Sequence, residues 1–160
     1  MSDPQLSEPL AVQTGMLIRR PAAEVFEAFI DPEITSRFWF TRGSGRLVAG
    51  QQVQWEWEMY GVSIPVDVIA VEPHRRIVVT WPGEDGPGTV EWIFTPMDEG
   101  STFVAITNTG ISGSGAELAK QAADAAEGFS LVLAGLKALL EHGVRLNLVA
   151  DRFPKGLDAT

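Results

Sequence analysis

The fold is decided by one stretch of the sequence, Phe129–His142, which reads FSLVLAGLKALLEH. Its apolar residues recur at steps of three and four, which is the period of a helix with one broad apolar face. An apolar run before it extends the predicted helix back to about Ala116, and Ser114–Glu117 has the spacing of a capping box. Gly143 follows the last periodic residue, where a left-handed helix end is expected. Such a helix would be on the order of 40 Å long, so it needs an apolar surface of similar length to lie on.

The middle of the chain, from Arg46 to about Asn108, supplies that surface as a series of strands. Apolar and polar residues alternate there with a period of two, which predicts strands with one buried and one wet face. The predicted strands are Gln52–Tyr60, Val62–Val71, Ile77–Trp81, Thr89–Thr95 and Thr102–Asn108. We also predict a first strand at Ala11–Arg19, with two short helices after it. The expected fold class is α+β, with a curved antiparallel sheet of about six or seven strands wrapped around the long C-terminal helix.

The length of 160 residues suits one domain with a real core. We expect a mobile polar tail at residues 1–10, which carry two prolines, and a single domain at residues 11–143. Residues 144–160 form a C-terminal tail with a few apolar side chains. The sequence leaves open whether this tail packs back as a short element or is partly disordered.

The composition limits the kinds of partner that we expect this chain to bind. Its net charge is −9, and an acidic chain repels phosphate backbones, so we expect no nucleic acid partner. There is no cysteine, which excludes disulfides and thiolate metal sites and fits a reducing cytosol. The N-terminus lacks a basic region followed by an apolar core, and no segment could span a bilayer. We therefore expect a soluble cytoplasmic protein, a monomer or a weak homodimer.

Four segments of the chain resemble a known family. They are Arg19–Phe29, Val71–Trp81, Gly100–Gly110 and Gly128–Glu141, and they occur in the same order as in that family. The pattern is similar to the START-like or SRPBCC superfamily, whose helix-grip fold is that of the birch pollen allergen. Within it, the chain most resembles the family of activator of heat-shock-protein-90 ATPase homologues, although many relatives have tryptophan in place of Phe129. The resemblance covers about residues 12–142 and implies a ligand cavity between sheet and helix, but no one function, because the superfamily holds lipid carriers, cyclases, hormone receptors and co-chaperone domains.

Aromatic residues are the main candidates for a binding site. Four of the five tryptophans fall on the predicted inward faces of strands, where an indole ring serves either as core or as a cavity wall with an N–H handle. In a helix-grip fold the two interpretations overlap. The predicted ligand-binding residues are Trp55, Trp57, Trp81, Trp92, Val104, Ile106, Asn108, Phe129, Val132, Leu133 and Leu136.

Few polar residues are candidates for chemistry. The amide of Asn108 either points into the cavity or caps a turn, and Asp67 is either solvated or a buried acid with a raised pKa. His74 and His142 are the only histidines, and we expect them to be structural or solvated. No phosphate-loop or dinucleotide fingerprint is present, so we predict no cofactor, no metal and no assigned catalytic residue.

Three functions remain open from the sequence. The first is binding of an apolar or amphipathic small molecule in the cavity. The second is an enzyme of the cyclase or hydrolase kind that uses polar cavity residues such as Asp67 or Asn108. The third, implied by the resemblance, is a stress-related co-chaperone-like module.

Overall fold

A computed structural model describes residues 10–82, 87–111 and 115–157. The described residues form one seven-stranded antiparallel sheet with the strand order β1-β7-β6-β5-β4-β3-β2. The strands are β1 (Leu10–Ile18), β2 (Arg42–Gly43), β3 (Gln52–Trp57), β4 (Val62–Glu72), β5 (Arg76–Trp81), β6 (Gly88–Asp98) and β7 (Ser101–Ile111). The helices are α1 (Ala22–Ile30), α2 (Pro32–Thr35), α3 (Gly115–His142) and α4 (Leu148–Arg152). The predicted fold class is confirmed, with a curved sheet, the long helix and two short helices after the first strand.

The meander arises from the turns that the sequence provides. Strands β3 to β7 each pair with the next along the chain, and β1 closes the far edge by pairing with β7. Between β4 and β5 the chain reverses at His74, which has a positive φ of 62° and lies edge-on to Phe26. A register shift in β4 between Val68 and Ala70 marks a bulge, which bends a strand locally.

The core lies between the inner face of the sheet and the helices α1, α2 and α3. The alternation predicted for β6 holds, because Val90, Trp92 and Phe94 are buried. Helix α1 buries Val25, Phe26, Ala28, Phe29 and Ile30 on the same side of the sheet. Helix α3 lies mainly along β1, with a smaller contact to β7. It is therefore seated at one edge of the sheet, and the strands at the other edge stand farther from it.

Some sequence predictions differ from the structure. The predicted strand Gln52–Tyr60 ends at Trp57, because Glu58–Tyr60 forms a 3-10 turn that Gly61 closes in a left-handed conformation. Met59 is therefore exposed instead of facing the core. Asp67 is exposed and accepts a hydrogen bond of 2.9 Å from the side chain of Gln52, so it is not a buried acid.

The predicted domain boundaries can be compared with the structure at the two ends of the chain. The expected tail at residues 1–10 and the capping serine Ser114 lie outside the described residues, apart from Leu10, which begins β1. After Gly143 the chain does pack back, through α4. No helix in the described ranges has the length and apolar character needed to cross a bilayer.

Candidate functional site

A pocket of about 440 Å³ lies between the middle of α3, from Asp124 to Val132, and the part of the sheet formed by β3, β4 and β5. It exists because α3 lies along β1 and β7, so the opposite edge of the sheet is not covered as closely. Trp57 from β3, Val62 and Ile64 from β4, and Trp81 from β5 form its sheet wall. The volume falls in the range of small-molecule sites, about 300–1,000 Å³.

Aromatic rings form the inner wall of the pocket. The ring of Trp39, which follows α2, has its centroid 6.1 Å from Trp57 and 6.5 Å from Trp81. Trp81 and Phe129 lie nearly parallel, with an interplanar angle of 5° and 6.3 Å between centroids. Trp39 and Phe129 are almost fully buried, whereas Trp57 and Trp81 are only partly buried. The last two rings therefore present surface that a ligand could cover.

Helix α4 forms the outer wall of the pocket. The hydroxyl of Tyr60 donates a hydrogen bond to the carbonyl oxygen of Val149, and its ring lies edge-on to Phe153 at 6.1 Å. Asn147, just before α4, has a left-handed conformation with φ of 58°, which turns the chain back toward the pocket. None of the residues of α4 is fully buried, so this wall is held by a few contacts rather than by a core.

Three charged side chains lie at the rim of the pocket: Asp124, Glu127 and Arg152. Arg152 donates from Nε and Nη2 to the two carboxylate oxygens of Glu127, and its guanidinium lies 4.3 Å from the ring centroid of Phe153. The hydrogen bond to Glu127 raises the pKa of Arg152, and the charges of Glu127 and Asp124 raise it further. The positive charge at the rim is therefore already compensated by two carboxylates.

The structure brings four of the eleven predicted binding residues to the pocket wall: Trp57, Trp81, Phe129 and Val132. Six others lie in the packed core: Trp55, Trp92, Val104, Ile106, Leu133 and Leu136. Each of these six is at most 1% exposed. They support the wall from behind and are not at its surface, and their part in binding stays a prediction.

Asn108 is buried but is not on the pocket wall. Its amide nitrogen donates to the carbonyl oxygens of Thr89, at 3.0 Å, and Thr109, at 3.3 Å. The side chain thus links β6 to β7 near the end of the strand. Asn108 therefore neither lines this pocket nor caps a turn, because its amide joins two neighbouring strands. Its part in binding stays a prediction.

Sequence reasoning missed several wall residues. Trp39 sits in the aromatic run Phe38–Phe40, and that run is the signal that could have indicated it. The C-terminal residues Val149, Arg152 and Phe153 are spaced three and four apart, as on one face of a helix. The alternation in Gln52–Tyr60 predicts a strand at Tyr60, whereas the structure has Tyr60 in the turn next to α4.

The pocket offers binding surface more than reactive groups. Its described lining contains no histidine, cysteine, serine or lysine. The described residues also contain no cluster of three or more His, Cys, Asp or Glu side chains that could hold a metal ion. The titratable side chains of the pocket lining are the phenol of Tyr60, which donates a hydrogen bond to the backbone, and the three charged groups at the rim. The arrangement is suited to holding an apolar body with its polar end at the rim.

Comparisons with known proteins agree with the observed fold and with the family resemblance seen in the sequence. One similar solved structure is the protein SSP2350 from Staphylococcus saprophyticus, with 30% identity and a TM-score of 0.74. The match covers 86% of this chain and 96% of that one. The Aha1 dimer from Colwellia psychrerythraea is 16% identical with a TM-score of 0.70, covering 84% of this chain and 98% of that chain, and it supports the fold alone.

A third similar structure is DynU16, from the dynemicin biosynthetic locus, at 23% identity and a TM-score of 0.70. It covers 84% of this chain but only 48% of the other, so this chain spans about half the length of DynU16. No curated protein matches the sequence. The family model described as activator of Hsp90 ATPase homolog 1-like protein matches residues 19–141. This match covers most of the chain, and the protein therefore belongs to the activator of Hsp90 ATPase homolog 1-like family.

Proposed function

We propose that this protein binds an apolar or amphipathic small molecule in the pocket between α3, α4 and the β3–β5 edge of the sheet. The observation that carries the proposal is the pocket itself, about 440 Å³ in volume and walled mainly by aromatic and aliphatic side chains. Partly exposed indole rings at Trp57 and Trp81 give up water contact when a ligand covers them, and this burial is favourable. The expected ligand is a rigid, largely apolar body with one or two polar groups.

The geometry favours binding over catalysis. An enzyme of the cyclase or hydrolase kind needs a general acid and base, or a nucleophile and base, aimed at one point. The polar groups of the described lining are instead engaged in the ion pairs Arg152–Glu127 and Lys120–Asp124 and in the hydrogen bond from Tyr60 to the backbone of Val149. Turnover of a bound compound would favour the enzyme, and a specific complex with a chaperone would favour the co-chaperone-like module.

The experiment that tests the proposal is a titration with 1-pyrenemethanol, a neutral aromatic probe, followed by its emission and by tryptophan quenching. We expect a Kd below about 1 mM, which corresponds to roughly 4 kcal/mol. Trp57→Ala and Gly128→Leu should both weaken binding, because the first removes part of the wall and the second places a side chain into open space. Mass spectrometry of compounds extracted from the native protein would then identify the natural ligand.

Matched controls separate pocket binding from adhesion to exposed apolar surface. Met97→Ala removes an apolar side chain that is 61% exposed on the outer face of the sheet. Ala123→Leu adds one to an exposed position of α3 outside the pocket. Both should leave the affinity unchanged. The proposal fails if no binding is detected at millimolar probe, or if the control variants change affinity as much as the pocket variants.

We further propose that the protein works in the cytoplasm as a monomer or a weak homodimer. The lack of cysteine is compatible with a reducing compartment. On the outer face of β3 the side chains Gln52, Gln54 and Glu56 are polar, which argues against a wide apolar interface across that strand. Sedimentation at micromolar concentration should give a species near 17.3 kDa, and a single species of twice that mass would contradict the expectation.

A further inference from the structure

The walls of the pocket carry more aromatic ring surface than a purely aliphatic ligand requires. Six rings line it: Trp39, Trp57, Tyr60, Trp81, Phe129 and Phe153. The face of an aromatic ring is electron-rich and attracts a cation by about 0.5–2 kcal/mol, depending on how far the pair is removed from water. The protein already contains one such contact at the rim, where the guanidinium of Arg152 lies over the ring of Phe153.

The charged side chains at the rim also favour a cation over an anion. Two carboxylates, Asp124 and Glu127, face one guanidinium, so the described lining has a net negative charge. Glu127 engages Arg152 through both of its oxygens, so a ligand carboxylate could reach Arg152 only by displacing Glu127. An anion would in addition lie beside both carboxylates.

One further cation, Lys120, lies beside the rim. Lys120 pairs with Asp124 at 2.7 Å, but both side chains are mostly exposed, so this pair is weak and easily exchanged. A cation entering the rim can therefore compete for Asp124 at little cost. The net charge of −9 adds a long-range field that attracts cations and repels anions.

We propose that the pocket selects cationic ligands: an aromatic or amphipathic body against the indole rings, with an ammonium or quaternary amine group at Asp124, beside the Glu127–Arg152 pair. This inference rests on the proposed function, because it assigns the ligand class of the same pocket. It disfavours fatty acids and other carboxylates, which an uncharged apolar pocket would accept. The charged group stays near water at the rim, so it is not fully desolvated on binding.

The test uses three probes with the same ring system and different charge: 1-pyrenemethylamine, 1-pyrenemethanol and 1-pyreneacetate, titrated at pH 7 in low salt. The cation should bind about fivefold or more tighter than the anion, with the neutral alcohol between them. The difference should shrink in 1 M salt, where the Debye length is about 3 Å.

A double variant, Asp124→Asn with Glu127→Gln, should abolish or reverse the preference, because it leaves Arg152 as the charge of the rim. The matched control is Glu33→Gln with Glu99→Gln, which changes the net charge by the same amount at exposed residues outside the pocket. This control should keep the preference of the wild type.

The outcomes separate the two proposals. If the neutral probe binds but the anion binds as tightly as the cation or tighter, the cation selectivity is wrong and the binding function stands. If the cation preference survives in the double variant, or is lost equally in the control, it does not arise from Asp124 and Glu127, and the inference is overturned. If none of the three probes binds, both the binding function and its ligand class are rejected.

Discussion

The two halves of helix α3 meet the rest of the molecule in different ways, and two glycines show the difference. A side-chain carbon at Gly135 would lie 3.3 Å from the Cβ and the carbonyl oxygen of Phe38, which is tighter than an ordinary contact. The same carbon at Gly128, two turns earlier, would meet nothing within 4 Å. The helix thus packs closely against the chain after α2 at Gly135, whereas at Gly128 the helix faces open space.

The two halves of α3 therefore have different roles. In the second half, Leu133 and Leu136 are completely buried, and Lys137 donates a hydrogen bond of 2.7 Å to the carbonyl oxygen of Leu17. In the first half, Gly128 and Ala125 line the pocket instead of filling it. The first half is open only on its pocket side, because Leu118 near its start is buried and packs with Val12 and Ile111. The pocket reaches from Asp124 across the midpoint of the helix to Val132, and this stretch leaves the space that a ligand can occupy. Substitutions in the two halves should therefore affect different properties.

The largest effect is expected for Leu136→Asp in the packed half. The new carboxylate would be desolvated without a partner, which costs several kcal/mol, a large part of the 5–15 kcal/mol that stabilises a typical domain. We expect an unfolded or molten protein by near-ultraviolet circular dichroism and thermal melting. Ala123→Asp, at an exposed position of the same helix, should fold normally. Cooperative melting of Leu136→Asp within a degree or two of wild type would contradict the packing of this half.

A smaller effect is expected for Glu141→Gln at the end of the packed half. Burial raises the pKa of Glu141, but hydrogen bonds from the backbone N–H of Arg19 and from Lys137 outweigh it, so the pKa is lowered from its usual 4.5. A lowered folded-state pKa gives stability that is present above the unfolded value and lost as the pH falls through the folded value. We expect the variant to lose roughly 1–2 kcal/mol at pH 7.

Urea unfolding at several pH values measures this contribution. The difference between wild type and Glu141→Gln should shrink as the pH falls below about 4.5 and the carboxylate becomes protonated. Glu117→Gln, exposed near the start of α3, is the control and should be near neutral. A deficit that stays constant from pH 7 to pH 3 would mean that the charge of Glu141 does not stabilise the fold.

The smallest effect compares the two glycines directly. Alanine is favoured over glycine in a helix by about 1 kcal/mol, so Gly128→Ala should gain about that amount in open space. Gly135→Ala should gain nothing or lose stability, because Phe38 and its backbone would have to move. Equal gains for both variants in chemical denaturation would show that the two halves of α3 are packed alike.

The sequence predicted which face of the sheet each strand residue lies on better than how deeply its side chain is buried. Trp55 and Trp57 share one phase of β3, and the alternation placed both on the inner face. The structure buries Trp55 against Phe40, with 5.0 Å between ring centroids, and leaves Trp57 partly exposed in the pocket. The difference depends on which side chains from distant segments cover each ring, such as Trp39 and Phe40 over Trp55, and periodicity within one strand does not contain this tertiary information.

The pocket wall formed by α4 was not predictable from the sequence for a similar reason. The segment after Gly143 is short and weakly apolar, so its local pattern left its structure open. It forms α4 because Tyr60 and Glu127, which are distant in sequence, hold it through Val149 and Arg152. Contacts of this kind between distant segments decide the shape of the site, whereas the long helix and the meander follow from patterns within each segment.

The most direct test of ligand binding in the pocket is a nuclear magnetic resonance titration of the indole N–H groups of the five tryptophans with 1-pyrenemethanol. We predict large shifts for Trp57 and Trp81, which line the pocket, and the smallest shift for Trp92, which is 1% exposed in the packed core. Signals that do not shift at millimolar probe, or a larger shift for Trp92 than for Trp57 and Trp81, would contradict the proposal that this pocket is the ligand site.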